Sequence, residues 1–512
     1  MGRTEKATKN IAWSIFGKLI TLAVNFLVRT VFILVLDKTL LGVNGLYTEI
    51  LGLLSFAELG FGTAMNFAMY KPMAEGNEEK IYALLKFYKK VYRIIAVTVL
   101  AIGLALLPFL GHLIKGAERI SPQELKIYYV FFLVNSVSSY FLSYKTAYVN
   151  AAQKNYIATN YETICKVATT MLQVLVLWIF KDYLAFLIAQ IVVSISSKVI
   201  FSIYLDRRFA IFTKKMEVRL SKEDKGHIFA EVKALVVHQL SSVAIYSTDN
   251  IIMSSIQKIG VVVVGLVSNY TLIINSITAF AQLIFVNMSS SFGNLAASDN
   301  KKHMRHVFNQ IELVGFWIYG FVSICLYVLL PPFIQLWIGT DYLVDGPSFL
   351  LIILNCYLMG QTTVYYHVRI VKGDFFRDKW LALLQMLINL VVSIVAARIF
   401  GLAGIYIGTV ASRIFFAVGR PLLTYRFIFG QSVWHYYKRT SIHLCCVLLT
   451  GAIAKLLCGF ILSEVDVWRF AIAAVVCAAI SGGILFVSVV KTKEFAELMS
   501  KIKGVIRNVR AK

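Results

Sequence analysis

Charged residues are scarce in this chain. Asp, Glu, Lys and Arg make up 15% of its 512 residues, whereas apolar residues make up 58%. A soluble globular protein carries about 25% charged residues, because its surface must be hydrated. The composition therefore excludes an ordinary soluble domain and indicates that much of the chain faces hydrocarbon.

Several motifs that carry chemistry are also missing. The sequence has no Walker motif, no metal signature of the HExxH or DxD type, and no exposed set of catalytic Ser, His and Asp residues. Its seven cysteines stand in apolar runs without the spacing of metal ligands or disulfides. The basic loops lack a module for nucleic acid. We therefore expect no enzyme, no metal or cofactor, and no nucleic-acid partner.

Long apolar runs, in contrast, recur from end to end. A run of about 18 residues or more can cross the roughly 30 Å hydrocarbon core of a bilayer. The pattern predicts an all-α polytopic membrane protein. We predict fourteen transmembrane helices, near residues 10–36, 41–70, 91–111, 125–149, 157–180, 183–206, 232–256, 259–288, 307–330, 346–370, 381–400, 402–427, 440–462 and 467–490.

The net charge of +24 is unevenly distributed between the predicted loops. Loop 207–225 reads RRFAIFTKKMEVRLSKEDK, whereas PPFIQLWIGTDYLVDGP at 331–347 has no Lys or Arg. Basic loops mark the cytoplasmic side of a membrane protein. The pattern predicts that both termini are cytoplasmic. The basic amphipathic tail 491–512 is expected either to lie on the anionic membrane surface or to be a solvated helix.

The first twelve predicted spans form two sets of six. GNEEK at 76–80 aligns with SDNKK at 298–302, and SIYLDRRF at 202–209 aligns with LLTYRFIF at 422–429, both at an offset of about 220 residues. An even number of spans gives both sets the same orientation. We predict an N-terminal six-helix lobe at 1–206, a basic linker at 207–230, a C-terminal six-helix lobe at 231–430, and two additional helices at 431–490.

The first span carries a polar stripe. Lys18, Asn25 and Arg29 share one face of a helix that turns about 100° per residue. A charge at the centre of a span costs about 2.5–3.5 kcal/mol on insertion scales. Either long basic side chain can instead extend to the nearer interface. The stripe therefore indicates a polar cavity or a pair of interfacial anchors.

A second stripe lies on the seventh span. His238 and Asp249 share a face there, 220 positions after Lys18 and Arg29 respectively. A short carboxylate cannot reach far towards an interface, so Asp249 favours the cavity hypothesis. Asp249 is expected to form a charge pair with Arg29 or to bind a coupling proton or sodium ion.

Further polar residues fall inside predicted spans. Glu58 is near the middle of the second span and is expected to be protonated, paired with a base, or a coupling-ion site. Asn66, Asn269 and Tyr270 offer amide and hydroxyl groups to a ligand. Arg413, near the middle of the twelfth span, is a second candidate for an anion site.

Three segments carry a family resemblance. They are KTLLGVNGLYTEILGLLSFAELGFGTAMNFAMYKPMAEGNEEKI at 38–81, VRIVKGDFFRDKW at 368–380 and NLVVSIVAARIFGLAGIYIGTVASRIF at 389–415. They resemble the second span, tenth loop and span eleven–twelve hairpin of bacterial polysaccharide flippases. These flippases form the polysaccharide transporter branch of the MOP superfamily, which also includes the MATE exporters. The resemblance extends over about residues 5–440.

The resemblance implies a MATE-like two-lobed bundle that works by alternating access in the bacterial cytoplasmic membrane. It implies flipping of undecaprenyl-pyrophosphate-linked oligosaccharide repeat units for capsule, exopolysaccharide or O-antigen synthesis. Cavities in this family are cationic, which suits Lys18, Arg29 and Arg413 as substrate-binding residues. Coupling to H⁺ or Na⁺, and a polysaccharide polymerase and chain-length machinery as partners, are further implications.

Two other functions remain open. A MATE-like cation-coupled drug antiporter predicts an acidic cavity, whereas the candidate residues are mostly basic. A membrane polysaccharide polymerase or ligase predicts a large outer loop with reactive groups, and no such loop is present in the sequence.

Overall fold

The computed structural model describes residues 3–58, 60–296, 301–372 and 378–500. It describes side chains from residue 15 onward, except those at 56–57, 63, 231, 234–235, 237–246, 286–303 and 366–378. Every regular element within these ranges is helical. The predicted all-α fold is therefore confirmed.

Sixteen α-helices follow one another in the described ranges. In chain order they are α1 Arg3–Val35, α2 Lys38–Leu54, α3 Phe61–Glu75, α4 Glu78–Ala105, α5 Leu110–Leu113, α6 Pro122–Ala151, α7 Asn155–Phe180, α8 Tyr183–Arg208, α9 Lys222–Ser255, α10 Gly260–Ala296, α11 Lys301–Ile338, α12 Gly346–Lys372, α13 Asp378–Phe400, α14 Leu402–Leu423, α15 Trp434–Ile461 and α16 Val467–Val489. A π-helical turn, Thr424–Phe429, extends α14.

Twelve helical segments in the described ranges are long and apolar enough to cross a membrane. The chain is thus a multi-pass membrane protein. The two remaining predicted spans correspond to α2–α3 and to the second half of α9, so a count of fourteen stays a prediction. These two spans are also the ones that carry Glu58 and Asp249.

The second predicted span is not one continuous helix. Helix α2 ends at Leu54, a short 3₁₀ turn covers Ser55–Glu58, and α3 begins at Phe61. Gly60 lies between them with a φ of 75°, a left-handed conformation that other residues adopt at a cost. Broken helices of this kind expose backbone groups, and membrane proteins keep them where the protein or a cavity can satisfy those groups.

The chain divides into two compact units, residues 1–265 and 266–512. In the first unit, α1 packs on α7, α4 on α6, α7 on α8, and α2 on α9. Helix α9 therefore belongs to the first unit, although the repeat assigned residues 231–255 to the second lobe. The two six-helix lobes remain a prediction of the repeat.

Aromatic residues anchor the core of the first unit. Tyr47 is fully buried, and its hydroxyl donates to the backbone oxygen of Leu125 over 2.7 Å. Its ring meets Tyr129 edge-on, with ring centroids 5.4 Å apart. A buried tyrosine needs such a hydrogen bond, because hydrocarbon offers its hydroxyl no water. Residues 78 positions apart are thereby fixed against each other.

A buried ion pair joins α6 and α8 in the same unit. Lys145 is 4% exposed, and its Nζ donates to Asp206 Oδ1 and Ser202 Oγ, each over 2.6 Å. Three good acceptors around one ammonium group, the third being the Ser202 carbonyl, offset much of its desolvation cost. The ion pair holds the C-terminal part of α6 against the C-terminal part of α8.

Helix α14 packs closely against α13 in the second unit. A Cβ built on Gly404 would lie 2.1 Å from the carbonyl oxygen of Ala396, and one on Gly408 would lie 2.2 Å from Ser393 Oγ. The two glycines are four residues apart, so they form one smooth strip on the helix. Such strips let backbones approach closely in membranes, where helix association depends on packing.

The two C-terminal helices belong to the second unit. Both α15 and α16 pack against α11 and against each other. Their shared core contains the buried residues Val447, Cys458, Cys477 and Leu485. The cysteines act there as small apolar residues, as their sequence context predicted.

We predict that Gly408→Ala destabilises the protein. The added methyl group would overlap Ser393, and overpacking of this kind costs about 1–3 kcal/mol. Thermal unfolding of the purified full-length protein in detergent measures the effect. Gly459→Ala is the matched control, because no atom lies within 4 Å of the methyl position on α15. Equal melting temperatures for the two variants would contradict the packing described here.

Candidate functional site

Helix α1, which carries the first polar stripe, lies directly against α7. A Cβ on Gly17 would stand 2.8 Å from Thr163 Oγ1, so the missing side chain permits the close approach. On α1, Lys18 is exposed, whereas Asn25 and Arg29 are half-buried. The stripe thus runs from an exposed lysine to an arginine that is partly enclosed by protein.

Two cations in this region act on each other. The charge of Arg29 on α1 lies close enough to Lys166 on α7 to repel it. Both residues lie inside apolar spans, where Coulomb interactions are weakly screened. The proximity of Lys166 to Arg29 was not predicted from the sequence.

Glu58 lies at the break between α2 and α3, where it is hydrogen-bonded. Its Oε1 accepts a hydrogen bond from the hydroxyl of Tyr92 on α4, over 2.8 Å. The Tyr92 ring stacks on Tyr140 of α6, with ring centroids 6.3 Å apart. The acid is therefore held by a neutral hydroxyl group, which allows it to be either charged or protonated.

A second carboxylate in this unit was missed by sequence reasoning. Glu49, on α2, lies beside the side chains of Ser247 and Asn250 on α9. Asp249, half-buried, lies between these two residues in the sequence. The sequence signal was an acidic residue within the second predicted span, nine residues before Glu58.

Two other sequence candidates, Asn66 and His238, belong to the first unit. Asn66 lies on α3, half-buried, and its Oδ1 is shielded from solvent without a hydrogen-bond partner among the described residues. The side chain of His238 lies outside the described side chains. Its role stays a prediction.

Arg413 lies on α14 in the second unit and is 7% exposed. Its Nε donates to Asn355 Oδ1 on α12 over 3.0 Å. The arginine therefore does not extend to an interface. A guanidinium carries five donor hydrogens in a fixed fork, so it can bond several acceptors at once.

Asn269 and Tyr270 are both buried on α10. Asn269 is fully buried, and neither its Oδ1 nor its Nδ2 has a hydrogen-bond partner among the described residues. Leaving such an amide unsatisfied costs about 1–3 kcal/mol. Tyr270 accepts a hydrogen bond from the backbone N–H of Val344 over 3.2 Å and contacts Phe349. The side-chain amide of Asn269 can therefore still form hydrogen bonds, whereas the hydroxyl of Tyr270 already accepts one from Val344.

An ion-pair network near the start of α11 was also missed. Arg439 of α15 pairs with the buried Glu312 and, over 3.6 Å, with Glu494. Glu497 pairs with His306 in the same region. The helical residues 493–500 are therefore tied to protein through acidic side chains, a contact that the basic composition of the tail did not suggest. Residues 501–512 lie outside the described residues.

The described residues contain no group of three or more His, Cys, Asp or Glu side chains that could hold a metal ion. The acidic candidates Glu49 and Glu58 lie in the first unit, and the basic candidates Arg29 and Arg413 lie in different units. The structure therefore provides two kinds of polar site in apolar surroundings. One carries the cations of arginine or lysine, and the other holds a titratable carboxylate.

Comparison with known proteins identifies solved structures with a similar fold. No family model matches the sequence, and no curated protein matches it. The solved structure of the lipid II flippase MurJ in an inward closed conformation is similar, with a TM-score of 0.64 and 14% identity over 95% of this chain and 100% of that chain. An inward-facing multidrug resistance MATE family transporter of the MOP superfamily has a TM-score of 0.60 and 15% identity over 79% of this chain and 96% of that chain.

The Vibrio cholerae MATE transporter VcmN is also similar, with a TM-score of 0.58 and 14% identity over 84% of this chain and 99% of that chain. The chain therefore has the fold shared by MurJ and the MATE transporters, and the predicted MATE-like fold is confirmed. At this level of identity the likeness concerns the fold alone.

We predict that Tyr92→Phe lowers the free energy of unfolding. The change removes the hydrogen bond to Glu58 and leaves a shielded carboxyl group unsatisfied, which costs about 1–3 kcal/mol. Thermal unfolding in detergent measures the loss. Tyr140→Phe is the matched control. It removes a hydroxyl group from the ring that stacks on Tyr92 and leaves the hydrogen bond from Tyr92 to Glu58 in place. Adding Glu58→Met to Tyr92→Phe should restore part of the stability, and a further loss would refute the assigned bond.

Proposed function

We propose that this chain, which has the fold of MurJ and the MATE transporters, is a flippase for undecaprenyl-pyrophosphate-linked oligosaccharide repeat units. It would pass them across the bacterial cytoplasmic membrane by alternating access, for capsule, exopolysaccharide or O-antigen synthesis. The observation that carries the proposal is the placement of two cations, Arg29 and Lys166, inside apolar spans on the packed helices α1 and α7.

The charge of the substrate explains why these cations are useful. A pyrophosphate diester carries negative charge that cannot cross hydrocarbon unshielded. Arginine binds phosphate oxygens in a bidentate manner, and a lysine adds a compact point charge. Arg29 and Lys166 would bind the pyrophosphate in one conformation of the transport cycle. Arg413, buried on α14 beside Asn355, is the corresponding candidate in the second unit.

The sugars require neutral hydrogen-bonding groups. Asn66 and Asn269 have shielded amide atoms with no partner among the described residues, and such atoms are normally satisfied by water or a ligand. Asn25 adds a half-buried amide on the face of α1 that carries Arg29. Tyr270 would act through its ring rather than its hydroxyl. The lipid tail of the substrate can remain in the bilayer throughout.

The carboxylates would supply ion coupling. Glu58 and Asp249, together with His238, are the proposed sites for H⁺ or Na⁺ or for a charge pair with a basic residue. Glu58 suits this role because its partner Tyr92 is a neutral donor that does not fix its charge. Both termini would face the cytoplasm, and a polysaccharide polymerase with its chain-length machinery would act on the product.

A MATE-like cation-coupled antiporter is the second candidate. The observation that favours it is the presence of half-buried carboxylates inside predicted spans of the first unit, namely Glu49, Glu58 and Asp249. Such groups attract cationic drugs or coupling ions. The two functions differ in the charge of the transported molecule, so a transport measurement separates them.

We predict that Arg29→Ala slows flipping about tenfold or more. Loss of one charge-assisted hydrogen bond costs about 1.5–3 kcal/mol. The measurement uses proteoliposomes that contain a fluorescent undecaprenyl-pyrophosphate oligosaccharide, with an impermeant quencher or a glycosidase reporting the outer leaflet. Lys166→Ala and Asp249→Ala should also slow transfer. Lys126→Ala, at an exposed lysine on α6, is the control with the same loss of charge and should leave the rate unchanged.

Normal flipping by Arg29→Ala and Lys166→Ala would refute the anion site. Absence of flipping by the unmodified protein, together with exchange of a cationic dye for H⁺ or Na⁺, would instead establish the antiporter.

A further inference from the structure

A lateral groove runs between α7 and α8 in the first unit. It encloses about 630 Å³, and its wall is almost entirely apolar. Ile164 and Ile200, which line it, are 68% and 67% exposed. Because both helices are membrane spans, this exposure is to hydrocarbon and the groove is open to lipid.

The wall of the groove has a defined shape. Tyr161 and Phe201 stack face to face, with ring centroids 3.8 Å apart and an angle of 2° between the rings. Deeper in the membrane the wall is formed by smaller residues, among them Ala168 and Ser196. The space therefore results from the side-chain sizes along two packed helices, and a slender apolar chain fits it.

The length of the groove is close to the hydrocarbon thickness of one leaflet. Its lining on α7 extends from Tyr156 to Ala168. At 1.5 Å per residue these positions are about 18 Å apart along the axis. Half of the hydrocarbon core is about 15 Å thick. An acyl chain of a phospholipid has this reach, whereas a polyprenyl chain of eleven units is far longer.

The headgroup end of the groove is cationic. Arg208 lines it, and the guanidinium carbon lies 5.8 Å from the centre of the Tyr204 ring. Lys154 is nearby, with its Nζ 5.0 Å from the ring of Phe209, the residue after Arg208. The neighbouring carboxylate of Asp206 is paired with Lys145. The positive charge at this end is therefore available to a phosphate.

From the length, the apolar wall and the charge at one end, we infer that this groove binds one anionic phospholipid of the leaflet on the basic side of the membrane. One acyl chain lies between α7 and α8, and the phosphate lies at Arg208. The site is separate from the proposed flipping site and does not depend on which molecule the protein transports.

Photocrosslinking of the full-length protein in nanodiscs tests this inference. Phosphatidylglycerol with a diazirine in its acyl chain should label peptides from 156–168 and 192–204. Phosphatidylcholine with the same acyl probe should label them about fivefold less, because one basic residue contributes about 1 kcal/mol to binding of an anionic surface. Arg208→Gln should reduce phosphatidylglycerol labelling by a similar factor.

Two further variants make the result specific. Arg207→Gln removes the same charge from the adjacent position, which does not line the groove, and should retain most of the labelling. Ala168→Phe fills the inner end and should reduce labelling by both phospholipids. Equal labelling by the two phospholipids, equal effects of the two arginine variants, or stronger labelling by a diazirine-bearing polyprenyl pyrophosphate would each overturn the inference.

Discussion

The lack of water in the hydrocarbon core is the constraint on which this structure depends. Backbone groups are satisfied within helices, and a charge buried there requires a partner from another helix. Lys145 with Asp206, Arg439 with Glu312, and Arg413 with Asn355 each meet this requirement. In each case the two residues belong to different helices, so satisfying the charge also determines which helices pack together.

Helix packing in this protein relies on small residues for the same reason. Lipid is as apolar as leucine, so burial of a leucine gives little preference for another helix over lipid. Close backbone contact gives that preference, as at Gly17 against Thr163 and at Gly404 and Gly408 on α14. These contacts hold α1 on α7 and α14 on α13, and thereby position the polar residues on α1 and α14.

Two of the functional candidates are incompletely satisfied polar groups. The amide of Asn269 is buried without a partner among the described residues. Glu58 is held by one neutral hydroxyl at a helix break. A buried amide without a partner and a carboxylate held by one neutral hydroxyl keep binding capacity, which suits a polar substrate that enters and leaves.

The sequence by itself determined the fold class, because membrane-spanning helices need about 20 apolar residues and most of the predicted spans meet that condition. It also selected Arg29, Glu58 and Arg413, because a charge in an apolar run is conspicuous. Only the tertiary structure decided their partners. Tyr92 is 34 positions from Glu58, and Asn355 is 58 positions from Arg413. Such partners are set by helix packing, which depends on side-chain shape over long sequence separations and leaves no local pattern.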